Sequence, residues 1–406
     1  MLARLPRVRP NLRAFDPRLF AARVFAFTAL AFLAACDLPV PSVNMGGNSG
    51  QQIDPSAPVQ VALLVPGGTG QAEFDLMAAS LENAARMGMT DLNGARIDLR
   101  VYNTGRDPAQ AAQIAARAVA DGAQIILGPL DAESANAVGL AVAPANVNVL
   151  SYSNNPAVAG RNVFVLGKTF GNISDRLVSY ASTQGIDRYL IVHQSNLAGS
   201  VGRDAIATSI RSVGGAVTGI ESYNFSQQSI FARAPAIAAV ANNTGAQAIF
   251  VTDTFEGGLS ILAESMLDQG VTPDSTPFIG LAQWDATSTQ AATLPSLQNG
   301  LFTKGDAGRE AAFRDRYIAT YGTAPHQLAS IAYDGIAAIG ALAATGDRNA
   351  LTTASLTRAS GFAGATGIFR LRPDGSNQRA LAVARIVNNQ IEIVDPAPLS
   401  FGRGGS

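Results

Sequence analysis

QIILGPLDAESANAVGLAVAPANVNVLSYSNN, residues 124–155, reads as strand, turn, helix and strand. Ile125-Ile126-Leu127 is an apolar run too short for a helix and of the length of a buried parallel strand. Gly128-Pro129 turns the chain. Asp131 stands as the N-cap of a helix carrying Ala135, Val138, Ala141 and Val142 on one face. Pro144 and Asn146 end that helix, and Val147 to Leu150 is the next extended run. The order makes a βαβ unit with a right-handed crossover.

Ligands of open parallel sheets bind beyond the carboxyl ends of the strands. Here those ends carry Gly128 to Ser134 and Ser151 to Asn155, rich in small hydrogen-bonding side chains. The first loop also feeds a helix N-terminus, whose unpaired N–H groups and dipole favour an anion. Ser134, Ser151, Ser153 and Asn154 are therefore candidates for a carboxylate-binding cleft, and ordinary turn and capping roles remain open for the serines. Thr69, His193, Thr252 and Trp284, each after a predicted strand, complete the candidate cleft set.

Working outward, residues 1–35 read as a targeting segment. Six arginines from Arg4 to Arg23 precede an apolar run, Val24 to Leu33, too short to span a bilayer. Leu33-Ala34-Ala35-Cys36 then resembles the lipobox of bacterial lipoproteins, which implies a lipid-carrying thiol at Cys36. Cys36 is the only cysteine in 406 residues, so no disulfide or cysteine-ligated metal competes for it. Without the leader the chain has 23 basic and 29 acidic residues. That acidic balance gives no footprint for nucleic acid. Residues 36–58, rich in Pro, Gly, Asn, Ser and Gln, read as a lipidated N-terminus followed by a disordered tether.

From Val59 strand and helix alternate. Val59 to Val65 is a strand ending in Pro66-Gly67-Gly68-Thr69-Gly70. The next helix carries Phe74, Met77, Leu81, Ala84, Ala85 and Leu92 along one stripe. Asp107-Pro108 is an N-cap with proline at N1. Further strands read at Tyr189–Val192, Val217–Ser222, Ala248–Val251 and Pro277–Gly280, and Gly245–Phe250 echoes Gly122–Leu127. Such a length of folded chain exceeds one comfortable core, so two lobes are expected. Towards the C-terminus, Pro373-Asp374-Gly375 and Asn388-Asn389 are hairpin turns between antiparallel strands.

Catalytic and metal constellations do not assemble, so the expectation is a non-enzyme without cofactor. No Walker or GxGxxG pattern can be completed around Gly67–Gly70, and no GxSxG occurs. His193 and His326 lack metal-ligand spacing. Lys168 and Lys304 are the only lysines, and neither completes an SxxK or KTG motif.

VALLVPGGTG, the Asp107-Pro108 helix, IILGPLDAESA, NVLSYSNNP and the alternating second half together resemble type I periplasmic binding proteins of the leucine/isoleucine/valine-binding group. The resemblance spans nearly all of Val59 to Asp395. It implies two doubly wound α/β lobes with parallel sheets, joined by three crossovers near Gly167, Thr303 and Thr345, with ligand between them. The lobes would comprise residues 59–168 completed by 305–345, and 169–304 completed by 346–396, before a flexible tail at 397–406. In this family's site Ser134 falls where the ligand carboxylate is held, and Ser153 and Asn154 fall in the adjoining loop. The second lobe departs from the pattern. Gln194–Gly199 lacks an aromatic, and Phe170 stands where many members hold the ammonium with an acidic or polar side chain. Those departures point away from an α-amino acid.

FIGLAQWD (278–285), AAFRDRYIATYG (311–322), IAYDGIAAIGALA (331–343) and GIFRLRPDGSNQRALAV (367–383) are similar to lipoproteins classed as penicillin-binding protein activators. That resemblance implies a membrane-tethered periplasmic protein that binds a bifunctional penicillin-binding protein, with Gln283-Trp284-Asp285 as a first guess at the contact. The alternative is a solute-binding lipoprotein that delivers a small polar ligand to an ABC permease. Either reading places the domain in the periplasm, anchored through Cys36 to the inner or outer membrane.

Overall fold

The computed structural model describes residues 50–281, 284 and 288–402. The leader, Cys36, Gln283 and Asp285 lie outside them. The first sheet is built from β1 (Val59–Val65), β2 (Ile97–Asn103), β3 (Ile125–Leu127), β4 (Asn148–Ser151) and β5 (Val163–Val165), in the order β2-β1-β3-β4-β5. Every pairing is parallel, with Val61 opposite both Leu99 and Ile125. Alternation along β1 feeds two cores. Val61, Leu63 and Val65 point into one apolar cluster, and Ala62 and Leu64 into another. Helix α1 (Ala72–Met89) covers the first face, and α2 (Pro108–Ala120) and α3 (Ala132–Val142) cover the second. Each valine or leucine so buried contributes about 1.5–3 kcal/mol. Asp107 caps α2 as expected, its carboxylate accepting from the Gln110 N–H at 2.7 Å. At Gly128, with φ 89°, a Cβ would sit 2.2 Å from the Leu64 carbonyl oxygen, so only glycine lets β3 turn there.

The chain crosses to the second lobe after β5. There α4 (Phe170–Thr183), β6 (Arg188–Gln194), α5 (Leu197–Ser212), β7 (Ala216–Tyr223), α6 (Gln227–Thr244), β8 (Ala248–Val251), α7 (Ser260–Asp268), β9 (Phe278–Gly280), α8 (Ser288–Thr293) and β10 (Leu301–Lys304) follow in turn. β6 divides its side chains as β1 does: Leu190 and Val192 join one core, and Tyr189 and Ile191 the other. β10 pairs parallel with β9, so Thr303 lies in a sheet strand and not in a bare crossover. The chain then returns to the first lobe. α9 (Ala307–Tyr321) buries Tyr317 there, and α10 (Ala329–Ala343) packs along α1.

The third crossover falls later than the sequence suggests. α11 (Thr353–Leu356) and the small antiparallel sheet of β11 (Phe362–Ala363), β12 (Ile368–Leu371) and β13 (Asn377–Arg379) stay with the first lobe. Leu351, Leu356, Phe362, Phe369 and Leu371 all enter its core. The chain crosses between Arg379 and Ala382, not near Thr345. β14 (Ala382–Val387) and β15 (Gln390–Asp395) then add antiparallel to the second sheet, whose order is β15-β14-β10-β9-β8-β6-β7.

Both ends of the domain also differ from expectation. Residues 50–58 fall within the expected tether, yet Gly50 and Asn146 exchange two 3.0 Å hydrogen bonds. Ile53 is buried, and its N–H donates to the Arg348 carbonyl at 2.9 Å. Gln51 donates to the Ala145 carbonyl, Gln52 to Asn349, and Gln124 to the Gln52 carbonyl, so one apolar side chain and a series of hydrogen bonds hold an otherwise polar stretch on the first lobe. In the expected tail, the Arg370 guanidinium lies 4.8 Å from the Phe401 ring centroid.

Candidate functional site

A cavity of about 650 Å³ opens between the lobes where the crossovers converge. The first-lobe wall is made by Leu130, Asp131 and Ala132 at the start of α3, and by Tyr152 to Asn155 beyond β4. Gln327, Leu328, Ser330 and Ile331 around the start of α10 extend it. Among the described residues the second-lobe wall is apolar: Phe170 and Ile173 from α4, Leu281 beyond β9 and Leu381 before β14. Gly167, Lys168, Gly305, Glu310, Thr366 and Arg379 line the floor along the crossovers.

The candidate residues separate into two groups. Ser153 and Asn154 border the cavity. The other six do not line it. Ser151 is fully buried, donating to the Pro129 carbonyl at 3.1 Å and accepting from the Ser153 N–H, so it shapes the loop. Ser134, in the first turn of α3, is buried with its hydroxyl unpartnered. Thr69 accepts from the Gln71 N–H in the turn after β1. His193 is buried and its Nδ1–H donates to the Gln194 carbonyl at 2.8 Å. Thr252 has a buried, unpartnered hydroxyl, and its methyl group packs close to Gly202. Trp284 is 0 % exposed in the second-lobe core, its ring centroid 5.6 Å from that of Phe302. It is neither a cleft side chain nor a surface contact, because the indole fills the space left by Gly280 and Gly300.

Charge on the cavity wall is matched locally. Asp131 occupies the N-cap position of α3 without bonding the helix; both its oxygens accept from Arg106, at 3.0 and 2.5 Å. Glu310 accepts from the Gly305 N–H at 3.1 Å. Arg379 pairs with Asp334 of α10 at 2.8 Å and also donates to the Leu166 carbonyl. Asp334 is fully buried and accepts from the Ala365 N–H at 2.7 Å. Burial pushes its carboxyl above the usual range, against the pull of Arg379. Tyr152 is 2 % exposed, and its hydroxyl has no partner in the protein. Burial raises that phenol well above its ordinary range, so it stays a neutral donor.

Sequence reasoning passed over Tyr152, Leu281, Arg379 and Leu381. Tyr152 lies inside the quoted NVLSYSNN, at the carboxyl end of a strand, where a large side chain with a polar tip signals a lining residue. Arg379 and Leu381 become legible only once the third crossover is placed.

The model of the family described as periplasmic binding protein matches residues 58–390. The chain belongs to the periplasmic binding protein family. No curated protein matches it. Among solved structures, a protein of Rhodospirillum rubrum assigned to branched-chain amino acid ABC transport is 17% identical, with a TM-score of 0.69, over 83% of this chain and 100% of that one. An ABC transporter substrate-binding protein of Desulfitobacterium hafniense, in complex with Leu, is 18% identical with a TM-score of 0.60 over 83% and 100%. A solute-binding protein of an ABC transporter from Rhodopseudomonas palustris, in complex with 3,4-dihydroxybenzoic acid, is 15% identical with a TM-score of 0.57 over 84% and 97%. The chain has the two-lobed α/β periplasmic binding protein fold with parallel sheets.

Proposed function

We propose that this chain is the solute-binding component of an ABC importer, holding a small organic ligand between its lobes in the periplasm and handing it to a permease. The observation that carries this reading is the interlobe cavity, about 650 Å³ and walled by both lobes. Pockets for small molecules span about 300–1,000 Å³ and combine apolar lining with a few placed polar groups. The structural relatives named above are transport proteins, which supports the same reading. A lipid on Cys36 would keep the domain beside the membrane. The synthase-activator reading has less support, since Trp284, its first-guess contact, is enclosed in a core.

The test is to purify the full chain from its native membranes and identify co-purifying small molecules and proteins by mass spectrometry. A stoichiometric organic solute together with permease subunits is the expected result. A peptidoglycan synthase as the stable partner, with no solute retained, would overturn the importer reading.

A further inference from the structure

The three crossovers are not the last place where the chain passes from one lobe to the other. β15 closes the second sheet at Asp395, with Val394 packed on a second-lobe core. Arg176 of α4 holds that end. One of its Nη atoms pairs with the Asp395 carboxylate at 2.8 Å and donates to the Asp395 and Pro396 carbonyls at 3.4 and 3.3 Å. Its Nε donates to the Leu381 carbonyl of the third crossover at 2.6 Å. The Arg176 side chain is 18% exposed, so water competes little for these bonds.

Phe401, five residues after Pro396, is back on the first lobe. Its ring lies 4.8 Å from the Arg370 guanidinium of β12. Phe369 and Leu371, on either side of Arg370, enter the first-lobe core. The guanidinium is oriented by its own N–H groups: Nε donates to Gln378 at 2.9 Å and an Nη donates to the Ala359 carbonyl at 3.4 Å. Those donors lie in the guanidinium plane, which leaves its face for the aromatic ring. The span between the two anchors is short and stiff. Pro396 and Pro398 fix φ near −65° and donate no main-chain hydrogen bond, which favours an extended chain. Five residues reach at most about 18 Å. Pro398, Leu399 and Ser400 are exposed along the way.

We propose that residues 396–401 are a strap between the lobes, a fourth link that restrains their relative rotation until Phe401 leaves Arg370. A rotation that carries the anchors beyond the reach of the span must break the contact between ring and guanidinium, and the stiffness of the span resists their approach. A partly exposed cation–π contact is weak enough to open and close reversibly, and its loss shifts the balance of lobe positions about two- to fivefold. The strap acts on lobe motion whatever the cavity holds.

The test is the distance between the lobes in the full chain. In a Cys36→Ser background, Gln113→Cys in α2 and Ala239→Cys in α6, both exposed helix positions, supply the only thiols. Spin labels on them give an interlobe distance distribution by double electron–electron resonance. Phe401→Ala, and separately a chain ending at Ala397, should widen that distribution, the population outside the parent range rising about two- to fivefold. Phe401→Tyr keeps the ring and should reproduce the parent. Melting temperatures should stay within about 2 °C of the parent, since the contact is small against the whole domain. Coinciding distributions in the parent, Phe401→Ala and the shortened chain would overturn the proposal. So would a Phe401→Tyr distribution as wide as that of Phe401→Ala, or a larger fall in melting temperature with no change in distance. None of these outcomes touches the importer reading, which the solutes and proteins co-purifying from native membranes decide.

Discussion

Asp334 and Arg379, 45 residues apart in the chain, form a 2.8 Å ion pair with side chains 1 % and 7 % exposed. The pair joins two of the motifs quoted above, IAYDG and SNQRA, and fixes Arg379 where it also grips the Leu166 carbonyl of the first crossover. Two of the three crossovers are thus held at one point. Replacing Asp334 by alanine strands a buried guanidinium and the Ala365 N–H, and should cost about 3–5 kcal/mol of unfolding free energy. Urea unfolding followed by circular dichroism measures it, and a loss under 1 kcal/mol would mean that water or another acceptor replaces the carboxylate.

Asp253 at the carboxyl end of β8 gives a pH signature. It accepts from the Tyr223 hydroxyl, from Gln194 Nε2 at 2.7 Å and from the Thr254 N–H at 2.8 Å, and no cation faces it in this set. Burial raises its carboxyl above the usual carboxylate range, with those donors opposing the rise. A raised acid binds protons more readily in the folded state than in the unfolded one. Its contribution to stability is therefore full below the unfolded value and is lost as pH rises through the folded one. The unfolding free energy of the wild type, relative to Asp253→Asn, should increase as pH falls toward 4 and level off on the alkaline side. Denaturation series at several pH values check the sign, and a difference that shrinks on acidification would contradict the raised carboxyl.

Gly280 and Trp284 make a third test. A Cβ on Gly280 would lie 2.3 Å from the indole, so Gly280→Ala must displace the only tryptophan in the chain. The expected cost is about 1–3 kcal/mol of overpacking. Tryptophan emission should shift to the red in the folded variant, while an unchanged spectrum would show that the backbone absorbs the methyl group.

Ile53 tests the docking of the N-terminal segment. Its side chain is 3 % exposed in the first-lobe core, and Ile53→Ala should lose about 2–4 kcal/mol in urea unfolding. A shift within error would place residues 50–58 back among dispensable linkers.

Cys36→Ser tests the anchor. Metabolic labelling with a palmitate analogue should disappear in the variant, and labelling that survives would remove the lipid from Cys36.

The parallel strands were readable because each is a short run that places apolar side chains alternately on two covered faces, as Val61 to Val65 does. Asp107-Pro108 and Asn388-Asn389 carry their own local chemistry, and the structure places a cap at the first and positive φ at the second. The assignment of residues 346–371 was not legible, since Leu351, Phe362 and Phe369 would suit either core and only tertiary contact chooses. β10 escaped because Leu301-Phe302-Thr303-Lys304 is brief and ends in polar side chains that its neighbours in the sheet accommodate. Within the site, Ser153 and Asn154 were found from their place beyond a strand, whereas the apolar wall required the positions of all three crossovers.

The seating of Gly50 and Ile53 on the first lobe has a mechanical consequence. Any force transmitted from the N-terminal side enters through a group of contacts that includes Asn146, Arg348, Asn349 and Gln124, all on the first lobe, and is borne by that lobe. The second lobe feels it only through the chain between the lobes. For a chain held at its N-terminus, the first lobe is the stator. Any opening or shutting of the cavity is then carried out by the second lobe, which swings its wall against a stationary one.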